Sequence, residues 1–319
     1  MLLSAKGVIM SNVKNGFGGI KVTLLEAGNP KPFEMFWNWY RETWYSLRNQ
    51  EFDPKNPKHI EAAKEVVDGK ALPVPQEALN IQVRVEGLSR VALAQFTRGR
   101  VGWAYCVTSQ MPEKIEHDVI VPMNIYESEF GEDARKLVED SQRLYDKMVA
   151  AGVPPQDCRY LLIHGQTTNL ACVANFMALR GYFARRCENG LTDELNLIGR
   201  LILHELRQVH LNADGTDKVP GSGWSYLMTK LEAMGADKVC LNNDKVFGNT
   251  GRSPSAGDWV PSTVNEKNPA DWRFDKSAWF FELQKLPKHL LFPGEQEMID
   301  DWKLIGFDGR LRKLGTKSK

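Results

Sequence analysis

Residues 80–100, NIQVRVEGLSRVALAQFTRGR, change period halfway along. In the first half Ile81, Val83 and Val85 alternate with polar residues, the period of a half-buried strand. Gly87 is expected to end that strand, and Ser89 stands where an N-cap hydroxyl belongs. Ala92, Leu93 and Phe96 then recur at helical spacing up to the basic cluster Arg98-Gly99-Arg100. A strand that turns directly into a helix ending in charge points to mixed α and β structure. Basic residues at a helix end also complement its dipole, so the cluster alone does not define a ligand site.

Toward the N-terminus, residues 19–27 (GIKVTLLEA) read as a short strand closed by the turn Gly28-Asn29-Pro30. Residues 33–47 place Phe33, Phe36, Trp37, Tyr40, Trp44 and Leu47 three and four apart, an amphipathic helix whose aromatic face suits a core or a subunit contact. Residues 56–67 read as a second helix, with Asn56 as N-cap, Pro57 at its first position and Gly69 closing it. Toward the C-terminus a long polar helix is expected over 129–151, stopped by Gly152 and Pro154-Pro155. Residues 159–164 are expected to form a strand, GQTTN a turn, and 170–186 and 192–211 two more helices. His204 and His210 are six positions apart and fall on different faces of the last helix, so no metal site is expected there. From Asn212 the composition shifts to Gly, Asp, Asn and Pro with Trp224, Trp259, Trp272, Trp279 and Trp302 interspersed, which suggests an appended region packing on the core.

A chain of 319 residues has room for about two domains, or for one large domain with an extension. Forty-one Lys plus Arg against forty Asp plus Glu leave a net charge of +1, so no global basic field exists to hold a nucleic-acid polymer. Any anionic ligand must meet a local cluster. Cys106, Cys158, Cys172, Cys187 and Cys240 are odd in number and contain no C-x-x-C pair, which reads as reduced thiols. No apolar run reaches the ~18 residues of a spanning helix, and the start has no basic segment before a long apolar stretch. A cytoplasmic protein without a membrane partner is the expectation.

Four segments in order, EGLSRVALAQFTRGR at 86–100, VTSQ at 107–110, AGVPPQDCRYLL at 151–162 and ARRCENGLTDEL at 184–195, resemble the flavin-dependent thymidylate synthases. That family carries a glutamine on a helix, then R-H-R-x-x-S-x-N-x-x-S-x-R-Y, and later AG(I/V)PPEDARYVLP. In register, Gln95 takes the glutamine position, Arg98 and Arg100 the motif arginines, and Thr108 the second motif serine. Arg159 then falls on the arginine of the later segment, Asn175 on a flavin-side asparagine and Arg186 on the pyrimidine-reading arginine. The departures are Gly99 for the motif histidine, Trp103 for its first serine, Tyr105 for its asparagine, and Gln110 and Met111 for its final arginine and tyrosine. Met177, Gly181 and Thr192 replace a further arginine, asparagine and glutamine.

The resemblance covers about residues 20–210 and implies an α+β fold, an antiparallel sheet flanked by helices, over 19–211. It leaves 1–18 as an N-terminal extension and 212–319 as a C-terminal extension packing on the core. It implies a homotetramer in which each site draws on several chains. The implied reaction is transfer of a one-carbon unit from methylenetetrahydrofolate to C5 of dUMP, with FAD reduced by NADPH. Arg98, Arg100 and Asn175 are the implied cofactor-binding residues. Gln95, Ser109, Gln110, Arg159 and Arg186 are the implied substrate-binding ones, with Arg186 and Thr108 at the chemistry.

The residue types suit those tasks. Arginine offers a phosphate a bidentate fork, glutamine offers an imide edge both a donor and an acceptor, and an arginine at a pyrimidine carbonyl stabilises charge building on the ring. Other readings stay open at this point: a relative that methylates or hydroxymethylates UMP or dCMP, or a non-catalytic nucleotide-binding paralogue. Arg186 could also serve as a structural partner of Asp193 or Glu194, and Cys106 and Cys187 read as packing residues.

Overall fold

A computed structural model describes residues 13–15, 19–110, 118–126, 128–187, 193–236, 286–292 and 294–304. Strands β1 (Val13–Asn15), β2 (Lys21–Glu26), β3 (Asn80–Ser89), β4 (Trp103–Val107), β5 (Val119–Val121) and β6 (Thr167–Asn175) form two sheets. One holds four strands in the order β2-β3-β6-β4; the other pairs β1 with β5 in parallel, Val13 opposite Val119. Thr108 N donates to Asn169 O and Asn175 N to Gly102 O, so β6 runs forward as β4 runs back. The fold is α+β, an antiparallel sheet flanked by helices, as the sequence resemblance implied.

Two compact units share the chain. The first comprises 1–23, 83–100 and 104–172; the second comprises 24–82, 101–103 and 173–319. In the first, Val83, Val85, Leu88, Leu170 and Cys172 are buried on the sheet. Helix α4 (Arg90–Phe96) follows β3, and the short α5 (Met123–Tyr126) precedes the long α6 (Gly131–Ala150), on which Val138 packs with Val119 and Val121. Gly87 does not end β3: it takes the left-handed conformation, φ 75°, close to Gly19 O, and the strand runs on to Ser89.

The second unit holds α1 (Pro32–Glu42), α2 (Pro57–Asp68), α3 (Val74–Ala78), α8 (Phe176–Arg186), α9 (Asp193–His210), α10 (Trp224–Ala236) and α11 (Glu295–Leu304). Helix α2 has the expected ends: Asn56 Oδ1 accepts from Lys58 N at 3.0 Å, Pro57 is the first residue, and Gly69 closes at φ 76°. The aromatic helix is shorter than its spacing predicts. Phe33, Phe36 and Trp37 are buried, but α1 stops at Glu42 and Trp44 is 54% exposed. The cause is a return of the chain: Trp37 Nε1 and Arg41 Nη1 both donate to Gln50 O, which folds 43–50 back as turns.

The largest correction lies at 155–186. Residues 159–164 are no strand; Pro155 starts one helical turn, α7 (Pro155–Cys158), which tightens into a 3-10 turn over Arg159–Leu161. Of the expected turn GQTTN, Gly165 does lie in a turn, but Thr167, Thr168 and Asn169 open β6, whose Thr168, Leu170, Cys172 and Ala174 are buried in alternation. The helix expected from residue 170 therefore begins at Phe176. Polar Thr and Asn were read as turn formers where a period of two was running.

Trp224 is 1% exposed and donates its indole N–H to Asn29 O at 2.9 Å. Trp259, Trp272, Trp279 and Cys240 lie outside the described residues, as does the Trp302 side chain. No helix among the described residues is long and apolar enough to cross a membrane.

Candidate functional site

In the first unit the candidate residues gather where β3 passes into α4. Ser89 accepts from Ala92 N at 3.0 Å and caps the helix, so Arg90 is its first residue. A cation there opposes the helix dipole, and local stability does not account for it. Arg90 N donates to Gln166 O at 3.0 Å and its Nη2 reaches Thr108 O at 3.4 Å. Its Nε is buried and has no hydrogen-bond partner. Burial and the nearby Arg159 charge both push the Arg90 pKa below its ordinary value. A guanidinium with an unmet donor, lying in the field of a second cation, is one that an anion would stabilise. The sequence reading assigned Arg159 to an anion but passed over Arg90. The signal was available: an arginine directly after a capping serine, on the wrong end of a helix for its charge.

Thr108 is held by its backbone N–H to Asn169 O at 2.9 Å and is exposed, as is Ser109; Gln110 is half-buried. Gln95 is half-buried in the last turn of α4. Arg98 and Arg100 follow the helix end, both exposed and in no ion pair among the described residues. Tyr105, at the family's asparagine position, brings its hydroxyl within 2.8 Å of Gly99 O and 3.1 Å of Phe96 O. Its single O–H donates to one of these carbonyls at a time, the nearer being Gly99 O, and ties β4 to the loop that carries both arginines. The exposed Cys106 sits in the same strand.

In the second unit Asn175 joins β6 to α8. Its Oδ1 accepts from Ala178 N at 2.8 Å, capping the helix, and its backbone N donates to Gly102 O at 3.0 Å. Gly102, at φ 75°, is required: a Cβ there would lie 2.5 Å from Asn175 Oδ1. Asn175 Nδ2 remains uncommitted among the described residues. At Gly181, where the family asparagine is missing, a Cβ would meet nothing within 4 Å, so that position is open. Arg180, which no sequence argument singled out, donates to Gln76 Oε1 at 2.9 Å and toward Asp68 O at 3.4 Å, tying α8 to α2 and α3.

Arg186 is half-buried in the last turn of α8. Of its two expected partners, the Asp193 side chain lies outside the described part and Glu194 is 5% exposed. Cys187 next to it is fully buried, as a packing residue would be. Cys172 is a second inert thiol, since burial pushes its pKa up to about 12. His204 and His210 have other work: His204 lies against His289 with ring centroids 4.5 Å apart, and His210 places Nε2 2.8 Å from Ala27 O and stacks on Trp224 at 4.0 Å.

Comparison with known proteins bears on the family and the fold. The flavin-dependent thymidylate synthase of Sulfurisphaera tokodaii is 31% identical over 128 residues, 40% of this chain and 49% of that one. Its counterpart from Thermococcus onnurineus is 26% identical over 178 residues, 53% of this chain and 72% of that one. The chain thus spans about half the length of the first of these relatives. Among solved structures, a UMP/dUMP methylase, PolB from Streptomyces cacaoi, bound with 5-Br dUMP, shares the fold with a TM-score of 0.52 at 11% identity, over 67% of this chain and 96% of that one. The Thy1 family, thymidylate synthase complementing protein, matches residues 41–210, which include Arg90, Gln95, Arg159, Asn175 and Arg186, and the chain belongs to that family.

Proposed function

We propose that the protein methylates a pyrimidine nucleoside monophosphate at C5 in a flavin- and folate-dependent reaction, dUMP to dTMP being the leading substrate and product. The observation that carries this reading is Arg90, at the start of α4 with a buried, unpartnered Nε and in the electrostatic field of Arg159, in a chain of the Thy1 family. A phosphate satisfies both guanidiniums at once, by charge and by paired N–H donors. Phosphate charge is unchanged in the reaction, so these residues bind and orient.

Gln95 suits the imide edge of the base, with Ser109 and Gln110 as further substrate contacts and the Thr108 hydroxyl facing the reacting region. Arg186 donates to a ring carbonyl, where a fixed cation stabilises the negative charge that builds as C5 attacks the one-carbon unit. The exposed arginines Arg98 and Arg100 fit the anionic part of FAD, and the uncommitted Asn175 Nδ2 fits its polar edge. Bound flavin, reduced by NADPH, supplies the hydride that completes the methyl group taken from methylenetetrahydrofolate. Family members draw each site from several chains of a homotetramer. An oligomer is favoured here by exposed apolar residues at heptad spacing on α6 and its N-cap: Phe130, the N-cap, and Leu137, each 62% exposed, and Leu144, 46%.

The test is a mass-spectrometric assay of dUMP, UMP and dCMP, each with methylenetetrahydrofolate, FAD and NADPH. A mass gain of one methyl group on dUMP supports the reading. Gain on UMP or dCMP alone assigns a specialised relative, which Tyr105, Gln110 and Met111 in the altered motif favour. Nucleotide binding with no product in any arm leaves the non-catalytic paralogue.

A further inference from the structure

Residues 290–295 reach α9 through a buried ion pair that continues, bond by bond, to the end of α8. Glu295 and Arg200 are bidentate, Nη1 to Oε2 and Nη2 to Oε1 at 2.6 Å each, with both side chains 0% exposed. Glu295 Oε2 also accepts from Phe292 N at 2.7 Å, Arg200 Nη1 donates to Leu290 O at 2.9 Å, and the guanidinium lies 3.9 Å from the centroid of the Phe292 ring. Arg200 Nε then donates to Asn196 Oδ1 at 2.5 Å, and Asn196 Nδ2 donates to Cys187 O at 3.1 Å. Cys187 directly follows Arg186.

The polarity of this chain is fixed. Arginine can only donate, so the Asn196 amide must turn its oxygen to Arg200 and its NH2 to Cys187 O. That carbonyl belongs to the C-cap of α8, where a helix leaves carbonyls unmet. Two further contacts hold the same end: Tyr182 O–H donates to Leu195 O at 2.6 Å, and Gly199 leaves room for Cys187, since a Cβ there would lie 2.6 Å from its Sγ. A buried ion pair is rarely the most stabilising filling for its volume, and its return is a defined geometry. Here the geometry it defines ends one residue from the arginine assigned to the pyrimidine.

We infer that Glu295, Arg200 and Asn196 are positioning residues that hold the α8 terminus so that Arg186 meets the pyrimidine ring. The inference rests on the proposed role of Arg186 and adds to it a dependence on a segment about a hundred positions away in sequence.

The test reads Arg186 itself. The full-length protein is labelled with phenylglyoxal with and without dUMP or UMP, and each arginine is followed by peptide mass spectrometry. In the parent, nucleotide slows labelling of Arg186 about fivefold or more; in Glu295→Gln and in Asn196→Leu that protection falls below about twofold, while protection of Arg159 is kept. Glu295→Asp, which retains the carboxylate, restores it. Turnover gives a second readout: Glu295→Gln lowers kcat with KM for nucleotide little changed, and adds nothing to Arg186→Ala. If nucleotide does not protect Arg186 in the parent, the assigned role of Arg186 fails and this inference with it. If the parent is protected and both variants are protected equally, the positioning inference alone is overturned. Circular dichroism and a urea midpoint accompany each variant; unfolding of both Glu295→Gln and Asn196→Leu assigns the chain of bonds to fold stability and overturns it too.

Discussion

Arg200 is fully buried and Arg90 half-buried with its Nε closed off, and the two are treated in opposite ways. Around Arg200 the protein supplies a carboxylate, a carbonyl, an amide oxygen and an aromatic face, so the cation is at home in the folded chain. Around Arg90 it supplies one carbonyl at 3.4 Å, a second cation and no partner for the buried Nε. A buried charge is tolerated only when it is paired, so the first site is finished; the second, on the proposed reading, is completed by an anion. Perturbation with an unmet donor does not by itself mark function: Arg180 also has a lowered pKa and an unpartnered Nε, but its Nη atoms are tied to Gln76 and Asp68 O, whereas Arg90 faces the like charge of Arg159.

The comparison breaks most visibly if the ion pair is cut. Glu295→Leu strands a buried guanidinium and is expected to lower unfolding free energy by about 3–5 kcal/mol, read from urea denaturation. Adding Arg200→Met removes the stranded charge and should recover much of that loss. Failure of the second substitution to recover stability would mean that packing, and not charge pairing, sets the cost.

At the unfinished site the same operation has a different signature. Arg159→Ala removes charge-assisted hydrogen bonds to phosphate, an effect of about 1.5–3 kcal/mol, or roughly 10- to 100-fold in Kd for UMP or dUMP. Calorimetric titration with the uncharged nucleosides should show no such change. Equal losses for nucleotide and nucleoside would place Arg159 away from the phosphate.

Smaller still is the local step that sets the arrangement up. Ser89→Ala deletes the hydroxyl that accepts from Ala92 N and should cost about 1 kcal/mol in urea denaturation. This step was legible in sequence, as were α2 with Asn56, Pro57 and Gly69 and the alternation of β3, because caps and periods are local signals. The strand β6 was not legible, since Thr167, Thr168 and Asn169 look like a turn until Thr168, Leu170, Cys172 and Ala174 are seen to share a buried face. For the candidate site, collinear motifs put forward Gln95, Arg159, Asn175 and Arg186. Arg90 escaped although its place after the capping Ser89 is a local signal, because what gives it meaning is the charge of Arg159, sixty-nine positions later, which local patterns do not record. The chain from Glu295 to Cys187 escaped for the same reason.

The least of these effects is a dependence on pH, and it belongs to the finished region. His204 is pushed below its ordinary pKa of 6.5 by burial first and then by His289, against which it lies; Arg207 adds to this and Glu205 opposes it. His210 is lowered by burial first, with the Ala27 carbonyl and Asp217 opposing and Lys218 reinforcing. A histidine with a lowered folded pKa binds fewer protons folded than unfolded, so stability rises with pH across that interval. The contribution is fully present above about pH 6.5, the unfolded value, and is lost as pH falls from there through the folded values. Asp68 and Asp214, lowered from 3.8, lose their contributions only in more acidic solution, so they do not mask the effect. The urea midpoint is therefore expected to be lower at pH 5.5 than at pH 7.5, and His204→Gln should flatten part of that slope by removing one of the two titrations. A midpoint that rises on acidification over this range, or a His204→Gln slope as steep as the parent's, would show that His204 keeps its ordinary proton affinity against His289, and that residues 288–290 rest on α9 without an electrostatic cost.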